Sequence, residues 1–428
     1  MEIRPFRGWR YLGSNGDVSP FIAPPYDILT QADKDRLLRR SDRNIVAVDL
    51  PHVPPNDLGP PSKYDQAAQQ LRQWMRQGVL VQEEAPAVYA YEQTYAWAGQ
   101  PYTRRAILAG VRATELGQDV IPHEHTFAGP KADRLCLTQK TRMQLSPIFG
   151  FHNEPSGKVA QLLARRLSTS PDVRAELEGV QGRLWVIRDV PDIQEIAAAL
   201  AGQPVFIADG HHRYSTALAY LHQLQLQQEV PPDHPARFVL FALVERRDPG
   251  LRILPTHRII RNLGPGFSLG QLQAGAVAFD WNEVNYQPGQ LDDADAFLAR
   301  FGTTAMGFLH SGSPRMHVAR LRNPSAMAQA APDQPEDWRR LDVAILHELI
   351  VDRALAAWRM QATQIEYTPR AEQVLAACRQ SPTTLGVCLQ STPLEAVERI
   401  ARAGASMPHK STYFYPKPAT GFVLKPLE

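Results

Sequence analysis

Apolar and polar positions alternate between helical and extended periods along the chain without any internal repeat. Residues 44–50 (NIVAVDL) read as a buried strand, and residues 64–77 (YDQAAQQLRQWMRQ) place apolar residues at helical spacing. Between residues 87 and 113 two long strand patterns, AVYAYEQTYAW and TRRAILAGVRA, flank Ala98-Gly99-Gln100-Pro101, which is a hairpin signal. A polar, irregular segment follows from 119 to 147. Helical patterns at 157–167 and 191–201 then enclose the strand-like RLWVIRD. Phe206–Asp209 leads into a helix over 213–226, and residues 237–245 (RFVLFALVE) form another core strand. Beyond residue 261 the texture changes. After the Gly264-Pro265-Gly266 turn come strand patterns at 306–309 and 316–321, a long amphipathic helix over 338–358, a strand at 385–389 and a helix at 393–403. The pattern predicts an α+β, or mixed α/β, protein with a soft boundary near 262, hence an N-terminal part over 1–261 and a C-terminal α/β part over 262–428.

Composition narrows the class. A chain of 428 residues has room for two or three domains, and 44% hydrophobic with 21% charged residues is ordinary globular usage. A net charge of only +2 gives no global field for nucleic acid or an anionic membrane surface, so any anion site must be local. Three scattered cysteines build neither a disulfide framework nor a zinc ribbon. The first ten residues lack the apolar core of a signal peptide and no run of about 18 apolar residues occurs, so the cytoplasm is the expected location.

Chemistry concentrates in residues 205–217 (VFIADGHHRYSTA). An apolar strand runs directly into Asp209-Gly210-His211-His212-Arg213 and then a helix. Glycine at such a turn lets backbone N–H groups approach a ligand, and the following helix N-terminus favours an anion. Arg213 offers a bidentate phosphate contact; Asp209 and the imidazoles offer acid, base or metal-ligand capacity. The competing reading is a capped helix start with surface histidines. Upstream, Ile121-Pro122-His123-Glu124-His125-Thr126 sets a carboxylate between two imidazoles. In an extended segment His123 and His125 face one side and Glu124 the other, so Glu124 suits a general base while a histidine binds metal or orients phosphate. Lys131, Asp133 and Arg134 form either an anion-binding edge or a solvated face. Near the C-terminus, Met407–Pro418 carries Lys410, Ser411 and Thr412, donors of the kind phosphate oxygens need, on a tail (405–418) that either docks on the site or packs its aromatics over the core. Ala23-Pro24-Pro25-Tyr26-Asp27 reads as a rigid turn, and Pro255-Thr256-His257-Arg258 as a weaker candidate.

The motifs APPYD, PHEHT with KADRL, SPIFG, IADGHHRYSTAL, LPTHR and MPHKSTYFYPK together resemble the family catalogued as the domain of unknown function number 1015, over nearly the whole chain. More distantly, Gly210–Ala217 is similar to the Gly-x-x-Arg-x-x-Ala box of the ParB and sulfiredoxin superfamily, and the Asp209–Arg213 run with the upstream Pro122-His123-Glu124 to its free serine kinases. That likeness implies a ParB/sulfiredoxin-like core with residues 139–203 as an insertion. It implies Glu124 as base, Asp209 and His211 binding Mg²⁺, and Gly210, His212 and Arg213 holding phosphates of ATP or ADP. The expected activity is nucleotide-dependent phosphoryl transfer to a small hydroxylated metabolite, with His123, His125, Asp209 and His211 assisting Glu124. Two alternatives stand beside it: a metal-dependent phosphatase or hydrolase, and a non-catalytic ParB-like nucleotide switch. Near-zero net charge and the lack of a basic recognition helix argue against DNA as a partner.

Overall fold

The computed structural model describes residues 1–311 and 315–428. It is mixed α/β, and the chain divides into two compact units, Met1–Leu251 with Pro416–Glu428, and Arg252–Tyr415. Among the described residues no helix is long and apolar enough to cross a membrane.

The first unit is organised by a nine-stranded sheet made of β1 (Ile3–Arg4), β2 (Val88–Trp97), β3 (Gln100–Arg112), β4 (Val120–Ile121), β5 (Ile148–His152), β6 (Val173–Leu177), β7 (Val180–Ile187), β8 (Val205–Asp209) and β9 (Phe238–Glu245). Its order is β4-β8-β5-β9-β3-β2-β7-β6, with β1 pairing the far end of β3. The β2–β3 hairpin turns at Ala98 and Gly99, both at positive φ, a backbone state that glycine adopts without strain. Its central strands are buried on both faces, so β9 reads as an unbroken apolar run. Three helices of this unit carry polar residues toward the site: the single turn α1 (Val46–Asp49), α2 (Ala128–Thr141) and α3 (His211–Gln227). Residues 139–203, an insertion by the sequence likeness, supply β5, β6 and β7 and so belong to the sheet itself.

Two expected elements differ. Residues 44–50 form α1 where a strand is expected. A run buried all round cannot reveal its period, and Asn44 settles the matter by accepting from the Val46 N–H while its amide bonds the Pro20 and Ile22 carbonyls. The irregular segment at 119–147 contains the 14-residue α2. Its buried face is Asp133, Arg134 and Leu137, so burial there does not register as hydrophobicity.

The second unit is built on an antiparallel six-stranded sheet of β10 (His257–Arg261), β11 (Phe279–Asn285), β12 (Met306–His310), β13 (Arg315–Leu321), β14 (Gln364–Thr368) and β15 (Leu385–Cys388), ordered β11-β13-β12-β15-β10-β14. Its core gathers Ile259, Leu298, Val318, Val374 and Cys388. The long helix expected over 338–358 is broken into Glu336–Arg339, Asp342–Ile345, a π-helical stretch Leu346–Ala354 and a final turn at Ala356–Trp358. Leu341 is extended, and the Asp342 carboxylate accepts from the N–H groups of Val343 and Gln390, which starts a new helix in mid-pattern.

Candidate functional site

Strands β4 and β8 are parallel neighbours, Val205 beside Val120 and Phe206 beside Ile121. Each therefore ends on the same edge, and each is followed at once by one of the two polar boxes: Pro122-His123-Glu124 after β4, Gly210-His211-His212-Arg213 after β8. The space beyond the carboxyl ends of parallel strands is where open α/β sheets bind ligands. Across 88 positions of sequence the His123 N–H donates to His211 Nε2 at 3.2 Å, and the two rings meet edge to face with centroids 4.6 Å apart. His211 Nδ1 lies 3.8 Å from Glu124 Oε2. Because Nε2 accepts, the His211 proton sits on Nδ1, facing that carboxylate. Burial keeps His123 and His211 below the ordinary imidazole pKa, and His123 depresses His211 further, so both are neutral near pH 7. The Glu124 side chain is one-third exposed and open to an incoming group. His125 points to solvent, and the His212 ring stacks on Phe127 at 5.9 Å.

Gly210 sits at φ +101°, and a Cβ there would meet the Arg213 guanidinium at 3.1 Å. The turn therefore needs glycine twice over, for its backbone state and for the arginine folded against it. No side chain caps the first turn of α3, which leaves backbone donors and the positive end of a 17-residue helix for an anion.

Asp209 closes the strand and is held by two cations. Lys417 Nζ bonds Oδ1 and Arg213 bonds Oδ2. Burial opposes its ionisation, but Lys417 and Arg213 outweigh that and keep the carboxyl well below the ordinary range. Arg213 also donates to the Pro147 carbonyl and, at 3.3 Å, to the Ser146 hydroxyl. Lys417 lies 3.9 Å from Asp27. Thus APPYD, SPIFG, DGHHR and the last lysine of the YPK stretch converge.

Beside them α2 buries a second charged group. Asp133 accepts from Tyr64 Oη and is 2.6 Å from His52 Nε2; its other oxygen takes the Arg134 Nε–H at 2.6 Å. Arg134 continues to the carbonyl of Asp49 and lies over the Tyr26 ring at 3.9 Å. The expectation of a solvated KADR face is overturned: Asp133 and Arg134 are buried, and of the three only Lys131 stands partly in solvent.

Three further expectations change. Asp209 and His211 do not fit a resident Mg²⁺, since both Asp209 oxygens are bound to cations and the one lone pair of the His211 ring accepts the His123 N–H. Among the described residues no three His, Cys, Asp or Glu side chains gather to hold a metal ion. Arg213, expected as a phosphate clamp, is occupied as a brace between β8 and the Ser146-Pro147 turn. Lys410, Ser411 and Thr412 lie in the second unit, where the Lys410 carbonyl accepts from Thr256 and Arg258, and the Ser411 carbonyl from Thr392. Sequence reasoning missed Lys417 and Asp49, and took Tyr26 only as part of a rigid turn. Lys417 was signalled only by its place in the same proline-bounded segment as Lys410; nothing local marks Asp49, buried in an apolar run.

No curated protein matches the chain. Solved structures that resemble it include a free serine kinase in complex with AMP (12% identity, covering 73% of this chain and 89% of that one, TM-score 0.34) and a mutant free serine kinase in complex with ADP (11%, 73% and 90%, TM-score 0.35). A C-terminally truncated SbnI from Staphylococcus aureus is similar at 11% identity, 72% and 84% coverage and a TM-score of 0.35. The family model described as Protein of unknown function (DUF1015) matches residues 3–344, and the chain belongs to that family.

Proposed function

We propose that the first unit is a nucleotide-dependent phosphotransferase acting on a small hydroxylated metabolite, with Glu124 as general base. The observation that carries this is the meeting of the two boxes at the ends of parallel strands: a carboxylate open to solvent beside an uncapped helix start. Phosphoryl transfer asks for positioning and charge neutralisation more than for a protein nucleophile, which suits this inventory. Glu124 takes the proton of the acceptor hydroxyl. The freed oxygen attacks the terminal phosphorus of ATP or ADP, the bond from phosphorus to the bridging oxygen breaks, and the shortened nucleotide leaves with the electron pair. The turn at Gly210 and the backbone N–H groups of His211, His212 and Arg213 receive phosphate oxygens, neutral His211 turns its Nδ1 toward Glu124, and Arg213 and Lys417 brace the turn through Asp209. A divalent ion would be carried by the nucleotide's phosphates and not by Asp209 and His211. A metal-dependent hydrolase is supported less well because those ligands are engaged elsewhere.

The test is calorimetric titration with ATP and with ADP, each with Mg²⁺, followed by product analysis with L-serine as first acceptor. Glu124→Gln should retain nucleotide affinity and lose turnover by about 100-fold or more, the usual worth of a positioned general base. Turnover at the wild-type rate in Glu124→Gln, or no nucleotide bound at all, would overturn the proposal.

A further inference from the structure

Phe127 is 57% exposed, and among the described residues it is the one aromatic of the large apolar side chains left in solvent. It follows the Pro122-His123-Glu124 box, stands at the start of α2 and gives that helix no side-chain cap. Its ring lies against His212, with centroids 5.9 Å apart and planes within 27° of parallel. His212 belongs to the first turn of α3, the end of the helix to which the phosphotransferase reading assigns phosphate. The two helices hold this meeting in place along their length. Phe127 and His212 touch at one end, and about three turns further along each helix the Gln139 side-chain amide donates to the Gln223 side-chain carbonyl at 2.6 Å. α2 and α3 therefore run parallel and side by side with their starts level, which brings an exposed aromatic ring to the phosphate-binding end of α3.

A nucleotide whose phosphates sit at the start of α3 carries its base one sugar away from them, and a planar aromatic surface beside His212 is what such a base can rest on. Stacking asks only for a π-face, so it binds any base, and it favours the larger surface of a purine over a pyrimidine. We propose that Phe127, backed by His212, is the stacking platform for the base of the donor nucleotide and gives the site a preference for purine. This rests on the phosphotransferase reading and adds to it the residue that chooses the donor. Glu124 and the Gly210 turn handle the acceptor hydroxyl and the phosphates, and neither distinguishes one base from another.

Calorimetric titration of the full chain with ATP, CTP and inorganic tripolyphosphate, each with Mg²⁺, tests this in wild type, Phe127→Ala and Phe127→Trp. Tripolyphosphate has no base to stack, so it reports on the phosphate site alone. Phe127→Ala should bind ATP about 5-fold or more weakly, the scale of one base–aromatic stack, and tripolyphosphate within about 2-fold of wild type. The same variant should lose most of the preference for ATP over CTP, and Phe127→Trp should keep both that preference and the affinity for ATP. The ring lies mostly outside the core, so both variants should fold, which a urea midpoint near that of wild type verifies. Unchanged ATP affinity in Phe127→Ala, equal weakening of ATP and tripolyphosphate, or wild type that binds CTP as tightly as ATP would overturn the assignment and leave the phosphotransferase reading standing. Wild type that binds neither ATP nor tripolyphosphate would overturn both.

Discussion

Removing the Lys417 ammonium isolates how the Asp209 turn is held. The two side chains are 14% and 12% exposed, so water can replace little of what the lysine supplies. Taking one partner from a buried ion pair costs about 3–5 kcal/mol because a charge is left uncompensated; Arg213 keeps the second carboxylate oxygen, so Lys417→Met should fall near the lower end, about 3 kcal/mol. The loss has a defined pH course. The Asp209 carboxyl titrates below its ordinary value of 3.8 in the folded protein, so its stabilising contribution is complete above 3.8 and is lost as the pH falls through the depressed folded value. The gap between wild type and Lys417→Met should therefore be widest at pH 7 and narrow below about pH 4. Urea unfolding at pH 7, 5 and 3 measures it, and the double variant Asp209→Asn with Lys417→Met should recover part of the loss as a coupling of about 1–3 kcal/mol. A gap under about 0.5 kcal/mol at pH 7, or one that does not change with pH, would refute the claim that Lys417 compensates a buried carboxylate.

Other perturbations obey the same logic. His152 is buried and its folded pKa lies at about 4 against 6.5 when unfolded, so its contribution is intact above 6.5 and declines by about 3 kcal/mol as the pH falls to 4; a flat urea midpoint over that window would contradict a neutral buried imidazole. Burial brings Lys425 down from 10.5 to about 7, which makes the fold most stable above 10.5 and weaker as the pH falls toward 7. Lys425→Met should stabilise by about 2 kcal/mol at pH 7, after subtracting the bonds to the Pro235 and Pro426 carbonyls, and destabilise at pH 11; thermal melts at both pH values read the reversal. Gly210→Ala imposes a Cβ on a residue at φ +101° and pushes the Arg213 guanidinium, so it should cost about 2 kcal/mol in chemical denaturation, more than Gly266→Ala, where positive φ is the only objection.

The parts of the site that the sequence discloses are those whose chemistry and backbone role coincide. Gly210 is legible because a strand-to-helix turn needs it, and His123, Glu124, Asp209 and His211 are legible because polar residues interrupt apolar strands that run into the sheet edge. The β2–β3 hairpin, β8 and β9 follow from periodicity alone. What escapes is whatever compensates buried charge. Asp209 must be matched by cations wherever the chain can deliver them, and one arrives 208 residues later as Lys417. Asp133 likewise draws Tyr64, His52 and Arg134, whose sequence surroundings suggest a solvated helix, and Arg134 in turn reaches Asp49 inside a run that looks purely apolar. Charge compensation acts through space and leaves no period in the chain. The same cause hides α2, since a helix that buries Asp133 and Arg134 in place of leucines has no amphipathic signature. Such a helix is an expensive way to fill a core when apolar residues of similar volume would serve, because burying Asp133 and Arg134 desolvates both, and the ion pairs of Arg134 with Asp133 and with Asp49 on α1 offset only part of that cost.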